Sequence, residues 1–236
     1  MVAAASWARL QNARKADVPT VSQEEIAALQ EFQYNDTLQG QSIRLIKLED
    51  GEFNNPIQCT LETHSLDGST RYEALSYVWG DPHDTIPFSC AGRRLHVTRN
   101  LHAALRKMRM INDMRKHAPL WIDAVCINQA NVDEKTVQVR LMGEIYAGAS
   151  LVHIWLHDVP RESVADTLEG VKMMKIVDSE IMRIEKSQKA GGMDDVAYRS
   201  VEAYSKKHRM DPAIQWLKIL KVVMTEWFNR ILVLQE

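Results

Sequence analysis

The chain has 236 residues, the length of one large domain or of one domain with insertions. Hydrophobic residues make up 45% and charged residues 25%, ordinary values for a soluble globular protein with a substantial core. A net charge of −2 gives no electrostatic reason to expect nucleic acid or an anionic membrane as partner, and no apolar run approaches the roughly 18 residues that span a bilayer.

The opening stretch MVAAASWARLQNARKADVP is rich in small residues and mildly basic. Arg9, Asn12 and Arg14 interrupt the continuous apolar segment that a secretory signal needs, so residues 1–41 read as an N-terminal arm or peripheral helix. The cysteines, Cys59, Cys90 and Cys126, are odd in number and form no CxxC. That argues against a disulfide framework and against a cysteine zinc site, and it points to a reducing, cytoplasmic compartment.

The main domain is expected over 42–236. Ile43–Leu48 and Ile57–Thr63 read as two strands joined by a Gly/Asn/Pro turn. YEALSYVWGD, from Tyr72 to Asp81, opens with a near-continuous apolar run, as expected of a strand buried on both faces, and stops at Gly80-Asp81-Pro82. TIPFSCAGRRLHV predicts a second hairpin turning at Ala91-Gly92.

Leu101, Ala104, Leu105 and Met108 then recur at helical spacing, with Thr98 or Asn100 as N-cap. Leu120–Val125 reads as a core strand. Asn131 and Glu134 resemble a capping box ahead of a helix that buries Met142, Ile145, Tyr146 and Ala149. Ser150–Leu156 is another apolar strand.

This alternation of strand and helix predicts an α/β fold with a mainly parallel sheet flanked by helices. The first hairpin is an N-terminal addition to that sheet. Residues 161–224 read as a helical insertion: Val164, Leu168 and Val171 form a helical stripe, KSQKAGGMDD a break, and Asp211-Pro212 a helix start. EWFNRILVLQE ends abruptly at Glu236, as expected of one domain cut from a longer protein.

The chemistry concentrates in LWIDAVCINQ, Leu120 to Gln129. A carboxylate inside a core strand must be hydrogen-bonded or face a cleft, because an unpaired one costs several kcal/mol. Ligands of open parallel sheets sit beyond the carboxyl ends of the strands, where Asp123 to Gln129 and Trp79-Gly80-Asp81 both fall. The two clusters are therefore candidates to share one crevice. Equally open is a structural role, with Asp123 capping backbone amides and Asn128-Gln129 shaping a turn.

Cys126 is either a nucleophile with a histidine base or a small buried hydrophobe. His153, inside an apolar strand, reads as a satisfied core residue. No metal-ligand spacing and no Gly-rich phosphate loop occurs, so neither a metal nor a nucleotide cofactor is read from motifs.

Four segments together, YEALSYVWGD, LWIDAVCINQANVDEKTVQVRLMGEIYAGA, LVHIWL and EWFNRILVLQE, resemble the fungal heterokaryon-incompatibility (HET) domain. The resemblance runs from about Ile43 to Glu236 in order and spacing, and the middle block is its most specific part. It departs at Leu232, where family members often carry tryptophan.

The resemblance implies a cytoplasmic effector of allorecognition that triggers cell death, with an allorecognition partner protein and self-association for activity. It also implies a distant likeness to the Toll/interleukin-receptor (TIR) domain, a flavodoxin-like fold in which some members cleave NAD+. Glu236 would then be the catalytic glutamate, with Trp227 and Arg230 upstream. Tyr77 or Trp79 would stack on a ring. Asp81, Asp123, Asn128 or Gln129 would hold hydroxyls or an amide, with Gly80 and Cys126 lining the same wall.

NAD+ would be a substrate and no metal would be needed. Nicotinamide leaves an already cationic centre, so a carboxylate beside the oxocarbenium-like ribose suffices. The competing expectation is a non-enzymatic module that kills by oligomerising and recruiting partners.

Overall fold

The computed structural model describes residues 21–114, 118–156, 164–186 and 193–223. Two compact units divide between His153 and Ile154.

The first unit is built on a seven-stranded sheet whose last strand runs across that boundary. Its strands are β1 (Ser42–Leu48), β2 (Gln58–Ser65), β3 (Glu73–Tyr77), β4 (Thr85–Cys90), β5 (Arg93–Thr98), β6 (Leu120–Trp121) and β7 (Val152–Trp155). They lie in the order β5-β4-β2-β1-β6-β3-β7. Each expected hairpin forms. β1 and β2 run antiparallel from Ser42↔Ser65 to Leu48↔Cys59. β4 and β5 turn at Ala91 and Gly92, whose φ values of 50° and 71° are the pair a tight type I′ turn needs.

The sheet is mixed, not mainly parallel. β3 pairs parallel with β6 and β2 with β4, but β1 pairs antiparallel with both β2 and β6. The first hairpin is therefore not an addition at the margin. β1 lies in the middle of the sheet with Ile43, Arg44, Leu45 and Ile46 all buried. A strand covered on both faces and paired on both edges gains more burial there than at an edge.

Leu120–Val125 is also corrected. The strand stops at Trp121, and Asp123–Cys126 forms a one-turn helix, α3. Its amides close on themselves: Cys126 N donates to Ile122 O at 2.7 Å and Ile127 N to Asp123 O at 3.2 Å. A short apolar run has no period that separates a buried strand from a buried helical turn.

Helix α1 (Gln23–Ala28) begins on a complete Ser22/Glu25 capping box and buries Ile26. The chain then passes along β5, with Arg94 N donating to Gln30 O and Phe32 N to Arg94 O. Helix α2 (Arg99–Met114) starts on Thr98, whose hydroxyl accepts from Leu101 N. Helix α4 (Val132–Gly148) buries Ile145 as expected, while Met142, Tyr146 and Ala149 are only half-buried. Its inward face continues with Glu134 and Gln138, two polar side chains that are nonetheless buried. His153 is a satisfied residue, its Nε2 standing 2.5 Å from Glu73 Oε2.

Among its described residues the second unit holds three helices, α5 (Val164–Lys186), α6 (Met193–His208) and α7 (Pro212–Val223). Pro212 opens α7 as its sequence predicts. Met173, Val201, Tyr204 and Ile219 form the core. Leu168 is 65% exposed, so the expected stripe is helical but turned: α5 buries Gly170 and Met173 instead. Gly170 passes so close to the Lys218 carbonyl of α7 that a Cβ there would clash with backbone. Of the break expected at KSQKAGGMDD, Lys186 ends α5 and Met193, Asp194 and Asp195 open α6, while residues 187–192 lie outside the described residues.

Candidate functional site

Trp79 lies two residues past the end of β3, and Asp123 two residues past the end of its parallel neighbour β6. Trp79 Nε1 donates to Asp123 Oδ2 at 2.8 Å and so joins the two strand ends. The turn that presents Trp79 is held by Asn100 of α2, whose Nδ2 donates to Val78 O at 2.6 Å. Gly80 follows at φ 79°, a backbone that L side chains rarely adopt, and a Cβ there would also meet Asn100 at 3.3 Å.

Asp123 is buried, and its second oxygen accepts from Ala124 N at 2.7 Å. Gln129 Nε2 reaches back to Asp123 O at 2.9 Å. Asn128 Oδ1 accepts from Ala130 N at 3.2 Å and shapes the turn into α4.

Beneath this loop lies an ion pair. Arg44 of β1 and Glu134 of α4 each have a side chain only 1% exposed. Arg44 Nη1 donates to Glu134 Oε1 at 2.6 Å and Nη2 to Oε2 at 3.0 Å, a two-point contact. The pair also grips the loop backbone: Arg44 Nη1 donates to Cys126 O at 3.2 Å, and Glu134 Oε1 accepts from Asn128 N at 2.8 Å. Tyr34 adds a third support, its hydroxyl donating to Val125 O at 2.8 Å while its ring lies 4.7 Å from the Arg44 guanidinium.

Asp36 closes the network, accepting from Arg44 Nε at 3.3 Å and from the Thr63 hydroxyl at 2.6 Å. Asn131 caps α4 through Glu134 N, but the Glu134 carboxylate serves Arg44 and Asn128 instead of returning to Asn131 N. Half of the expected capping box is therefore present.

Burial opposes the charge on Glu134. The hydrogen bonds from Arg44 and from the Asn128 amide outweigh it and hold the carboxyl below its ordinary range. The Thr63 hydroxyl, with Arg44, lowers Asp36. Cys126 is fully buried, with its sulfur accepting from Ile122 N at 3.3 Å, and burial pushes its thiol up to about 12. Such a thiol supplies no thiolate near neutral pH.

Residues 72–236 match the family model described as Heterokaryon incompatibility protein (HET). The chain belongs to the HET family. It is also similar to Heterokaryon incompatibility protein 6, OR allele, of Neurospora crassa, at 38% identity over 142 residues. That alignment covers 55% of this chain and 21% of the relative, so the chain spans about a fifth of the relative's length. No solved structure matches.

In this HET domain, Trp79 and Asp123 are in contact, with Gln129 on the Asp123 backbone. Tyr77 ends β3 and is 4% exposed. Asp81 is exposed and turned to its own loop, accepting from His83 N at 2.8 Å. Trp227, Arg230 and Glu236 lie outside the described residues. Among the described residues no group of three His, Cys, Asp or Glu gathers to hold a metal, and no helix is long and apolar enough to cross a membrane.

Residue-level reading missed Arg44, Glu134, Tyr34 and Asp36. One signal was available: SIRLIKL places an arginine inside an otherwise apolar strand, and a buried arginine requires a carboxylate.

Proposed function

We propose that this HET domain is the effector part of a fungal incompatibility system, and that it triggers cell death in the cytoplasm by hydrolysing NAD+ to nicotinamide and ADP-ribose. Family membership and the similarity to a Neurospora incompatibility protein support the cell-death role. The observation that carries the chemical reading is the Trp79–Asp123 bond, which brings together the carboxyl ends of two parallel strands. The order β6-β3-β7 places β3 between the strands that follow it, as in flavodoxin-like winding, and supports a TIR-like arrangement.

In this reading Glu236 stabilises the cationic ribose while the glycosidic bond to nicotinamide breaks. Water adds at that carbon, and a proton is released. Trp79 offers a ring surface held in place by its N–H, with Tyr77, Gly80, Asp81, Asn128, Gln129, Trp227 and Arg230 as further substrate contacts. Self-association, and recognition of a partner protein, would switch the activity on.

A second reading has its own observation. The loop's polar groups are largely spent internally: Asp123 on Trp79 and Ala124, Asn128 on Ala130, Gln129 on Asp123, Asp81 on His83. That suits a non-enzymatic assembly module whose polar cluster is a structural lock.

Nicotinamide release from NAD+ separates the two. The chain and Glu236→Gln are compared in dilute solution and clustered on a support. Release that is abolished by Glu236→Gln supports the enzyme. A folded chain that kills cells but releases no nicotinamide in either state rules it out in favour of the module.

A further inference from the structure

The buried pair Arg44–Glu134 grips the backbone of the loop that begins at Asp123. Arg44 holds the Cys126 carbonyl, Glu134 holds the Asn128 amide, and Tyr34 holds the Val125 carbonyl. Three consecutive links of the segment Val125–Asn128 are thus tied to three separate elements: β1, α4 and the segment before β1. Asp123 opens the helical turn that this segment completes, and Ile127 N closes the turn on Asp123 O.

The orientation of the Asp123 carboxylate toward Trp79 is therefore set from below. Arg44 moving away would leave the buried Glu134 carboxylate without its counter-charge, and Glu134 moving away would leave buried Arg44 only the exposed Asp36. The support reaches outside the span matched by the family model, which begins at residue 72, whereas Arg44, Tyr34 and Asp36 precede it.

We infer that Arg44 and Glu134 are positioning residues for the Trp79–Asp123 edge of the proposed NAD+ site, acting through the Val125–Asn128 backbone. The kinetic consequence rests on the NAD+ reading; the structural one does not.

The test uses the full chain labelled with 15N, with the Trp79 indole N–H resonance assigned by its loss in Trp79→Phe. In Glu134→Gln that resonance is expected to move toward the position of a water-exposed indole, and in Glu134→Asp to return part of the way. The KM for NAD+ is expected to rise at least fivefold in Glu134→Gln with kcat within twofold. A merely structural role would lower the active fraction and leave KM unmoved.

An unmoved Trp79 resonance in a folded Glu134→Gln chain overturns the inference, and an unchanged KM in an active chain overturns its kinetic part. If Glu134→Gln does not melt cooperatively, Tyr34→Phe is read in its place. It removes only the bond to Val125 O, and the same displacement supports the inference while its absence overturns it. A wild-type chain that releases no nicotinamide, while the resonance still moves in the variants, removes the NAD+ reading and leaves the positioning role standing.

Discussion

Trp79 and Asp123, each two residues beyond the end of a strand and 44 residues apart in sequence, share a hydrogen bond of 2.8 Å between indole and carboxylate. The bond is charge-assisted and partly withdrawn from water, conditions in which losing one partner is costly. Trp79→Phe is expected to destabilise the chain by about 1–3 kcal/mol. Asp123→Asn, which keeps an acceptor for the indole, is expected to cost less than Asp123→Ala. Urea melts of the three variants check both statements.

The Arg44–Glu134 pair predicts strong coupling. Arg44→Met strands the buried Glu134 carboxylate and Glu134→Leu leaves buried Arg44 only the exposed Asp36, so each single truncation is expected to cost about 3–5 kcal/mol. The double variant removes both charges and is expected to cost clearly less than the sum, although the Cys126 carbonyl and Asn128 amide lose their partners. A double-mutant cycle from denaturant melts measures the difference. Additive losses would mean that the two side chains do not act as a pair.

The thiols are expected to be inert in the native state. Cys59, Cys90 and Cys126 are all free and buried. The hydrogen bond with Cys90, and then burial, raise the Cys59 thiol well above its ordinary value, while burial, chiefly, takes Cys126 to about 12. Maleimide labelling at neutral pH, counted by mass spectrometry, should find no modified cysteine until denaturant is added. Cys126→Ala should leave the proposed cell killing within about twofold, because a protonated buried thiol is no nucleophile. Rapid native labelling of Cys126 would contradict this placement.

His102 predicts a pH dependence. Burial, followed by the charges of Arg106, Arg109 and Arg99, lowers it from its ordinary 6.5 to about 4. A histidine held neutral in the folded chain takes up its proton first in the unfolded chain. Its contribution is therefore fully present above pH 6.5 and is lost as pH falls from 6.5 toward 4. His102→Gln should flatten the stability curve across that window and leave it unchanged above. Melting temperatures at half-unit pH steps follow the effect.

What the sequence determined by itself is what neighbouring residues decide. Gly92 takes positive φ readily and turns a hairpin, Pro212 opens a helix, and the run ending at Tyr77 forms a strand. These preferences act over a few residues and survive in any surroundings. The four motif segments likewise carried the family, because their order and spacing are properties of the chain alone.

The strand order, the helical turn at Asp123 and the partner of Arg44 were decided only in three dimensions. Leu120–Val125 is apolar enough for strand or helix, and it bends because β1 and α4 offer Cys126 O and Asn128 N a buried ion pair. Glu134 lies 90 residues from Arg44, and its local signature was that of a helix cap. An ion pair across such a distance leaves no period or spacing in the sequence. It forms because burying each charge is affordable only beside the other, and the packing of β1 against the loop after β6 brings them together.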